Sequence, residues 1–108
     1  MIIKEDLRFS MEGDSLRAEP IGEIDHHNAK RLRERIDSQL FSKKPGGLIL
    51  DFSSVRFMDS SGIGLVIGRA EICRELGITV RLTGLSSTAK RLITLSGVDK
   101  LQNLTVEI

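Results

Sequence analysis

The sequence lacks tryptophan and tyrosine, and its 108 residues include one cysteine, Cys73, and two histidines. A lone cysteine excludes an internal disulfide, and so few cysteine and histidine ligands argue against a dedicated metal site. Four phenylalanines are the only aromatic residues, so few rings are present to stack on bases, sugars or planar cofactors. We therefore expect a protein partner, no cofactor and a reducing compartment.

A large excess of charge of one sign is also missing. Sixteen Lys and Arg residues oppose fifteen Asp and Glu residues, which leaves a net charge of +1, without the basic excess on which binding to nucleic acid relies. No run of eighteen apolar residues occurs, and no basic segment precedes an apolar stretch at the N-terminus, so neither a membrane span nor a secretion signal is predicted. We expect a cytoplasmic protein with no nucleic acid or membrane partner.

The hydrophobic pattern predicts a single α/β domain with a mixed sheet, an N-terminal hairpin and helices packed against the sheet. Strands are predicted over residues 3–10, 15–24, 48–52, 78–83 and 104–108, with the third as a buried central strand. Helices are predicted from an Asp25 cap to about residue 43, over residues 61–76, and from a cap at 86–88 to Gly97; a loop is predicted over residues 53–56. Right-handed crossovers connect the parallel strands in such a domain.

The segment over residues 57–68 is the most informative because it passes from a strand end into a helix. At about 100° per residue, one narrow side of this helix carries no bulky apolar side chain; its members are Ser60, Gly64, Gly68, Glu71 and Glu75. We call these five residues the glycine stripe. A glycine inside a helix costs about 0.5–1 kcal/mol relative to alanine, so Gly64 and Gly68 require a compensating role.

Two interpretations compete for the glycine stripe. In one, the glycines let the helix pack closely on its own sheet, and Asp59, Ser60 and Ser61 only cap free amide groups. In the other, the stripe faces outward and receives a partner. The carboxylates of Glu71 and Glu75 belong in water, and the aliphatic side of the same helix already provides a core face. This distribution favours the outward orientation.

Enzymatic motifs are incomplete. The serine-hydrolase elbow requires a glycine two residues before the nucleophile, where Met58 stands. Residues 87–90 match a Ser-x-x-Lys pattern without the companion β-lactamase motifs, and the glycines at 62 and 64 lack a Walker lysine or dinucleotide spacing. Cys73 falls on the aliphatic side of its helix and is predicted to be core. We therefore expect no enzymatic activity.

Residues 58–64, Met-Asp-Ser-Ser-Gly-Ile-Gly, closely resemble the motif of bacterial anti-sigma factor antagonists of the sporulation type, which are STAS-domain proteins. Residues 22–27 (GEIDHH), 90–92 (KRL) and 95–97 (LSG) extend the resemblance over nearly the whole chain and imply one STAS domain over residues 1–108. In that family the unmodified antagonist binds an anti-sigma factor that is also a serine kinase, which frees the sigma factor for transcription. Phosphorylation of the first serine of the motif, here Ser60, reverses the binding.

The resemblance also implies partners and contact residues. The kinase supplies the bound ATP, and a phosphoserine phosphatase resets the switch. The expected contact residues are Asp25, His26, Asp59, Ser61, Gly62, Gly64 and Gly68. Two other functions remain open at this point: a STAS module of a signalling scaffold or lipid-transport complex, and a small nucleotide-binding protein. The choice between a sporulation pathway and a stress pathway is open as well.

Overall fold

The computed structural model describes residues 5–107, in which a five-stranded mixed sheet carries its helices on one face. The elements in chain order are β1 (Leu7–Glu12), β2 (Ser15–Pro20), β3 (Gly22–Ile24), α1 (Ala29–Lys43), β4 (Gly47–Asp51), β5 (Val55–Met58), α2 (Ser60–Glu75), β6 (Thr79–Thr83), α3 (Ser87–Ser96), a 3₁₀ turn (Val98–Lys100) and β7 (Leu104–Val106). The sheet has the order β1-β2-β4-β6-β7, and β3 pairs with β5 in a separate two-stranded sheet. The predicted α/β class is confirmed.

The core lies between the main sheet and the helices. Strand register places one row of apolar side chains across β2, β4, β6 and β7, with Leu16, Leu48, Val80 and Leu104 as neighbours. All four are buried, as expected for alternate residues on the inner face of a sheet. The predicted central strand is confirmed, because β4 lies in the middle of the sheet and every one of its residues is buried.

The other face of the sheet carries charged side chains. Arg17 and Arg81 lie on either side of Ile49 in register; Arg17 reaches Asp51 at 2.7 Å, and Arg81 reaches Glu107 at 3.3 Å. Ile49 is only 3% exposed beneath this layer, because the aliphatic stems of long charged side chains cover apolar surface while their heads stay in water.

The opening hairpin is confirmed for β1 and β2, but the prediction of one continuous strand over residues 15–24 is wrong. The chain leaves the main sheet after Pro20, which has no amide hydrogen to continue the ladder, and Gly22 adopts φ +94°. Beyond this bend, β3 pairs in parallel with β5 instead. The structure describes no strand over residues 5–6; predicted strand positions 3, 4 and 108 lie outside the described residues.

Two further local predictions need correction. Residues 53–56 do not form one loop, because Val55 begins β5, which pairs Val55 with Gly22 and Met58 with Ile24. The first helix begins at Ala29 after an Asn28 cap rather than directly after Asp25. The predicted second and third helices are confirmed, and the Ser86 hydroxyl accepts a hydrogen bond from the Ala89 amide at 3.1 Å. Within residues 5–107, no helix has both the length and the apolar character needed to cross a bilayer.

Candidate functional site

The small sheet brings two separate segments of the sequence together. Ile24 and Met58 are paired at the ends of β3 and β5, and the Asp59 amide donates a hydrogen bond to the Ile24 carbonyl oxygen at 3.2 Å. Because the two strands are parallel, their carboxyl ends meet at the same edge. The turn that begins at Asp25 and the start of α2 at Ser60 therefore lie side by side.

Asp59 fixes the start of α2. Its backbone is extended, its carboxylate accepts a hydrogen bond from the Ser61 amide at 2.8 Å, and its carbonyl accepts one from the Gly62 amide at 2.9 Å. This is the geometry of a helix N-cap. Ser60 is the first residue of the helix and is exposed, whereas Asp59 and Ser61 are half-buried. The cap thus places the Ser60 side chain in solvent at the positive end of the helix dipole.

The Asp25 turn is held by reciprocal hydrogen bonds. The Asp25 carboxylate accepts from the His27 amide at 2.9 Å, and the Asn28 side-chain oxygen accepts from the Asp25 amide at 3.0 Å. The Asn28 side-chain amide also donates to the Glu23 carbonyl at 2.7 Å. His26 is exposed, and its ring lies 4.0 Å from the His27 ring between centroids. The turn is therefore an ordered part of the surface beside Ser60.

The glycine stripe faces outward. A Cβ atom added at Gly64 or Gly68 has no atom of another element within 4 Å, and the carboxylate residues Glu71 and Glu75 are exposed. The interpretation that these two glycines permit close packing on the protein's own sheet is therefore wrong. Their absence of side chains instead leaves bare helix backbone next to Ser60, at a surface that another molecule can approach closely.

Gly62 differs from the other two glycines. It is buried, and a Cβ atom added there lies 2.1 Å from Cγ and 2.3 Å from Sδ of Met58. The missing side chain at this position makes room for Met58 inside the domain. The structure thus brings Asp25, Asp59 and Ser60 to one edge but leaves Gly62 beneath it.

Cys73 and Arg69 lie on the buried side of α2. Burial raises the pKa of the Cys73 thiol to about 11, so the thiol stays protonated near neutral pH, and the prediction that Cys73 is core is confirmed. Arg69 is only 2% exposed, and its Nε lies 2.8 Å from Oδ1 of Asp37 on α1. Burial lowers the pKa of Arg69 and raises that of Asp37, although each charge stabilises the other.

Sequence reasoning missed this ion pair. An arginine among apolar residues in an amphipathic helix is expected to reach solvent with its long side chain, and its counterion comes from another helix. The pair joins α1 to α2, and the chain segments that lead into these helices carry the Asp25 turn and Ser60. Arg69 and Asp37 therefore link the helix that follows the Asp25 turn to the helix that begins at Ser60.

The family of the chain follows from its match to the STAS domain model over residues 15–107. The chain belongs to the STAS domain family. This STAS domain is 29% identical over 80 residues to the anti-sigma F factor antagonist of Paenibacillus polymyxa, covering 74% of this chain and 68% of that protein.

Two solved structures resemble the same STAS domain. The anti-sigma factor antagonist SpoIIAA in its unphosphorylated form superposes with a TM-score of 0.78 at 26% identity, covering 94% of this chain and 88% of that chain. The Bacillus cell fate determinant SpoIIAA in its phosphorylated form superposes with a TM-score of 0.71 at 26% identity, covering 94% and 91%. A relative of this domain has thus been described in two phosphorylation states.

Proposed function

We propose that this STAS domain is an anti-sigma factor antagonist switched by phosphorylation of Ser60. The unphosphorylated domain binds an anti-sigma factor that is also a serine kinase, and this binding frees the sigma factor for transcription. The observation that carries the proposal is the exposed Ser60 hydroxyl at the start of α2, beside the open surface at Gly64 and Gly68. The names of the similar proteins support the same assignment.

The position of Ser60 suits a phosphate acceptor. The hydroxyl is accessible to a kinase, and the backbone amides at the start of a helix stabilise a negative group there. The neighbouring Asp59 carboxylate already accepts a hydrogen bond from the Ser61 amide, so the N-cap of α2 does not depend on the Ser60 side chain. We therefore expect the fold to survive phosphorylation, with little change in circular dichroism.

Phosphorylation changes the surface far more than the fold. A phosphoserine carries a charge of about −1.5 to −2 and three acceptor oxygens, and Ser60 shares its side of α2 with Gly64 and Glu71. Before phosphorylation, the glycine stripe is open at Gly64 and Gly68, and its only charged residues are Glu71 and Glu75. Phosphorylation adds a bulky anion at the Ser60 end of this stripe. A partner seated against the bare backbone is excluded both by volume and by repulsion of its own acidic groups.

In this proposal the domain is a substrate and has no turnover of its own. The kinase holds the ATP, and a phosphoserine phosphatase restores the binding form. The proposed contact surface comprises Asp25, His26, Asp59, Ser61, Gly64 and Gly68 around Ser60, and Gly62 shapes it from below. Such a switch acts where sigma factors act, in the cytoplasm.

Isothermal titration against the anti-sigma kinases of the same genome tests the assignment. Ser60→Ala is expected to retain binding and to accept no phosphate, whereas Ser60→Asp is expected to weaken binding at least tenfold, about 1.4 kcal/mol. Ser61→Ala is the matched control and should still be phosphorylated. Stoichiometric phosphorylation of Ser60→Ala moves the acceptor to Ser61, and tight binding of ATP or GTP by this chain alone favours a nucleotide-binding protein instead.

A further inference from the structure

Strand β1 lies at one edge of the main sheet, and its outer edge pairs with no other element of residues 5–107. The Ile21 amide donates a hydrogen bond to the Asp6 carbonyl oxygen at 2.9 Å, in phase with the pairing of β1 and β2. Residues that bond to the partner strand alternate with residues that do not, so the even-numbered residues of β1 bond to β2. The backbone N–H and C=O groups of Leu7, Phe9 and Met11 therefore point away from β2.

This edge carries few of the features that keep edge strands apart. Proline, bulges and very short strands are the usual means of protection. Strand β1 has six residues without proline or glycine, and its register with β2 is unbroken, whereas the opposite edge strand, β7, has three residues. Phe9 is half-buried, and Met11 is 48% exposed. A regular strand with unpaired backbone groups and exposed apolar side chains is a template for a further strand.

The sequence of β1 is complementary to itself about Ser10. When two copies pair antiparallel with Ser10 opposite Ser10, Arg8 of each copy faces Glu12 of the other, and Phe9 faces Met11. Opposite charges and apolar groups in directly facing positions stabilise a strand pair. A shift by two residues is the smallest that keeps the outward-pointing backbone groups paired, and in either direction it places Ser10 opposite a charged residue. The register centred on Ser10 thus matches charge to charge and apolar group to apolar group.

Arg8 and Glu12 also form ion pairs within their own chain. Each has two such partners: Glu5 at 3.3 Å and Glu19 at 3.6 Å for Arg8, and Arg17 at 3.1 Å and Arg81 at 3.4 Å for Glu12. The side chains of Arg8 and Glu12 nevertheless stay 56% exposed, and exposed ion pairs hold their groups weakly. Pairing of two copies therefore joins the two charge networks without requiring that either be broken.

The helices leave room for the second copy. Helix α1 packs on β2 and α2, so the two α1 helices stand about three strand spacings apart, about 14 Å. Helices in direct contact are about 8–10 Å apart, and the remaining space receives Phe9 and Met11 from both copies. At the ends of this register Asp6 faces Asp14, but Arg31 and Arg35 of α1 already neutralise Asp6.

We propose that β1 pairs antiparallel with β1 of a second copy of this chain, about a twofold axis at Ser10. The two five-stranded sheets then form one continuous sheet with the helices of both copies on the same face. Helix α2 packs against β6, away from the β1 edge, so Ser60 stays accessible in each copy. The inference is independent of the proposed function, because it needs neither a kinase nor a phosphate.

Sedimentation velocity over a wide range of protein concentration tests the dimer and its charge pairing. Arg8→Glu and Glu12→Arg each place like charges opposite each other, and each is expected to weaken the dimer roughly tenfold. A mixture of the two variants restores opposite charges at both positions, so a mixed dimer should form about as tightly as the wild-type dimer. Glu107→Arg, beside the opposite edge strand, is the matched control and should leave the dimer unchanged.

Met11→Pro tests the backbone pairing. Its amide hydrogen points away from β2, so a proline there is compatible with the β1–β2 hairpin, and circular dichroism should not change. The dimer should weaken at least about tenfold, because the hydrogen bonds from Met11 to the second copy are lost.

Three results would overturn the proposal. One is a wild-type chain that stays monomeric at every concentration. Another is a dimer that Met11→Pro and both charge variants leave intact, because a different surface then forms it. The third is a mixture of the two charge variants that stays monomeric, because Arg8 then does not face Glu12.

Discussion

The Asp59 amide donates a hydrogen bond to the carbonyl oxygen of Ile24 at 3.2 Å, and this contact joins the two segments of the candidate site. It continues the pairing of β3 with β5, so the Asp25 turn and the start of α2 leave the same edge of one small sheet. The surface around Ser60 is therefore assembled by a strand pair that lies outside the main sheet.

The glycine stripe leads to a prediction that separates stability from binding. Gly64→Ala is expected to stabilise the fold by about 0.5–1 kcal/mol, because alanine favours the helix and its methyl group enters open space. The same methyl group should weaken kinase binding. Urea unfolding and calorimetric titration measure the two effects.

Gly62→Ala provides the contrast within the same helix. Its methyl group collides with Met58, so this variant should lose about 1–3 kcal/mol of stability, the usual cost of overpacking. A Gly64→Ala variant that is both less stable and fully active in binding contradicts the assignment of an open partner surface at that position.

The buried Arg69–Asp37 pair predicts non-additive substitutions. Arg69→Met alone leaves the partly buried Asp37 carboxylate without its cation and should lower the free energy of unfolding by about 3–5 kcal/mol. Asp37→Leu alone leaves the buried Arg69 without its anion and should have a similar cost. The double variant should recover most of this loss, since an apolar pair can replace a buried ion pair. Chemical unfolding of all four proteins measures the coupling, and additive losses in the double variant contradict it.

Asp51 predicts how stability depends on pH. Burial acts to raise its pKa, but hydrogen bonds from Ser53 and Arg17 outweigh burial and hold the pKa below the ordinary value of 3.8. A carboxyl group whose folded pKa is lowered stabilises the fold above its unfolded pKa, and this contribution is lost as the pH falls through the folded pKa.

The check is thermal or urea unfolding of wild type and Asp51→Asn across pH. The variant should be less stable by about 2 kcal/mol at neutral pH, where the charged hydrogen bonds to Arg17 and Ser53 are lost. The difference should narrow below about pH 4, where the Asp51 carboxyl group begins to protonate in the unfolded chain, and should narrow further as the pH falls through the lower pKa of the folded protein. A difference that stays constant down to pH 2 shows that the charge of Asp51 is not the stabilising feature.

The sequence predicts the parts of the fold that depend on local pattern. The buried run of β4 and the outward face of α2 follow from hydrophobicity and helical spacing alone, and the serine caps and glycine ends of helices are local signals as well. The motif that contains Asp59 and Ser60 is contiguous, so its resemblance to the family motif identifies the candidate phosphate acceptor from the sequence.

Two of the features that escaped prediction are nonlocal. Residues 15–24 alternate like one strand, and only the pairing of Gly22 with Val55 shows that β3 belongs to a second sheet. The resemblance gives Gly62 and Gly64 the same contact role, but a Cβ atom added at Gly62 meets the Met58 side chain, whereas one added at Gly64 meets nothing within 4 Å. The ion pair of Arg69 with Asp37 requires the packing of two helices, which no single-helix pattern contains.

Intact-mass spectrometry with peptide mapping tests the central claim most directly. The wild-type chain is incubated with Mg-ATP and each anti-sigma kinase of its own genome, and the kinase complex is followed by size exclusion. We predict one added phosphate on Ser60 together with loss of the complex. A folded domain that gains no phosphate with any of these kinases, or that stays bound after Ser60 is phosphorylated, contradicts the switch.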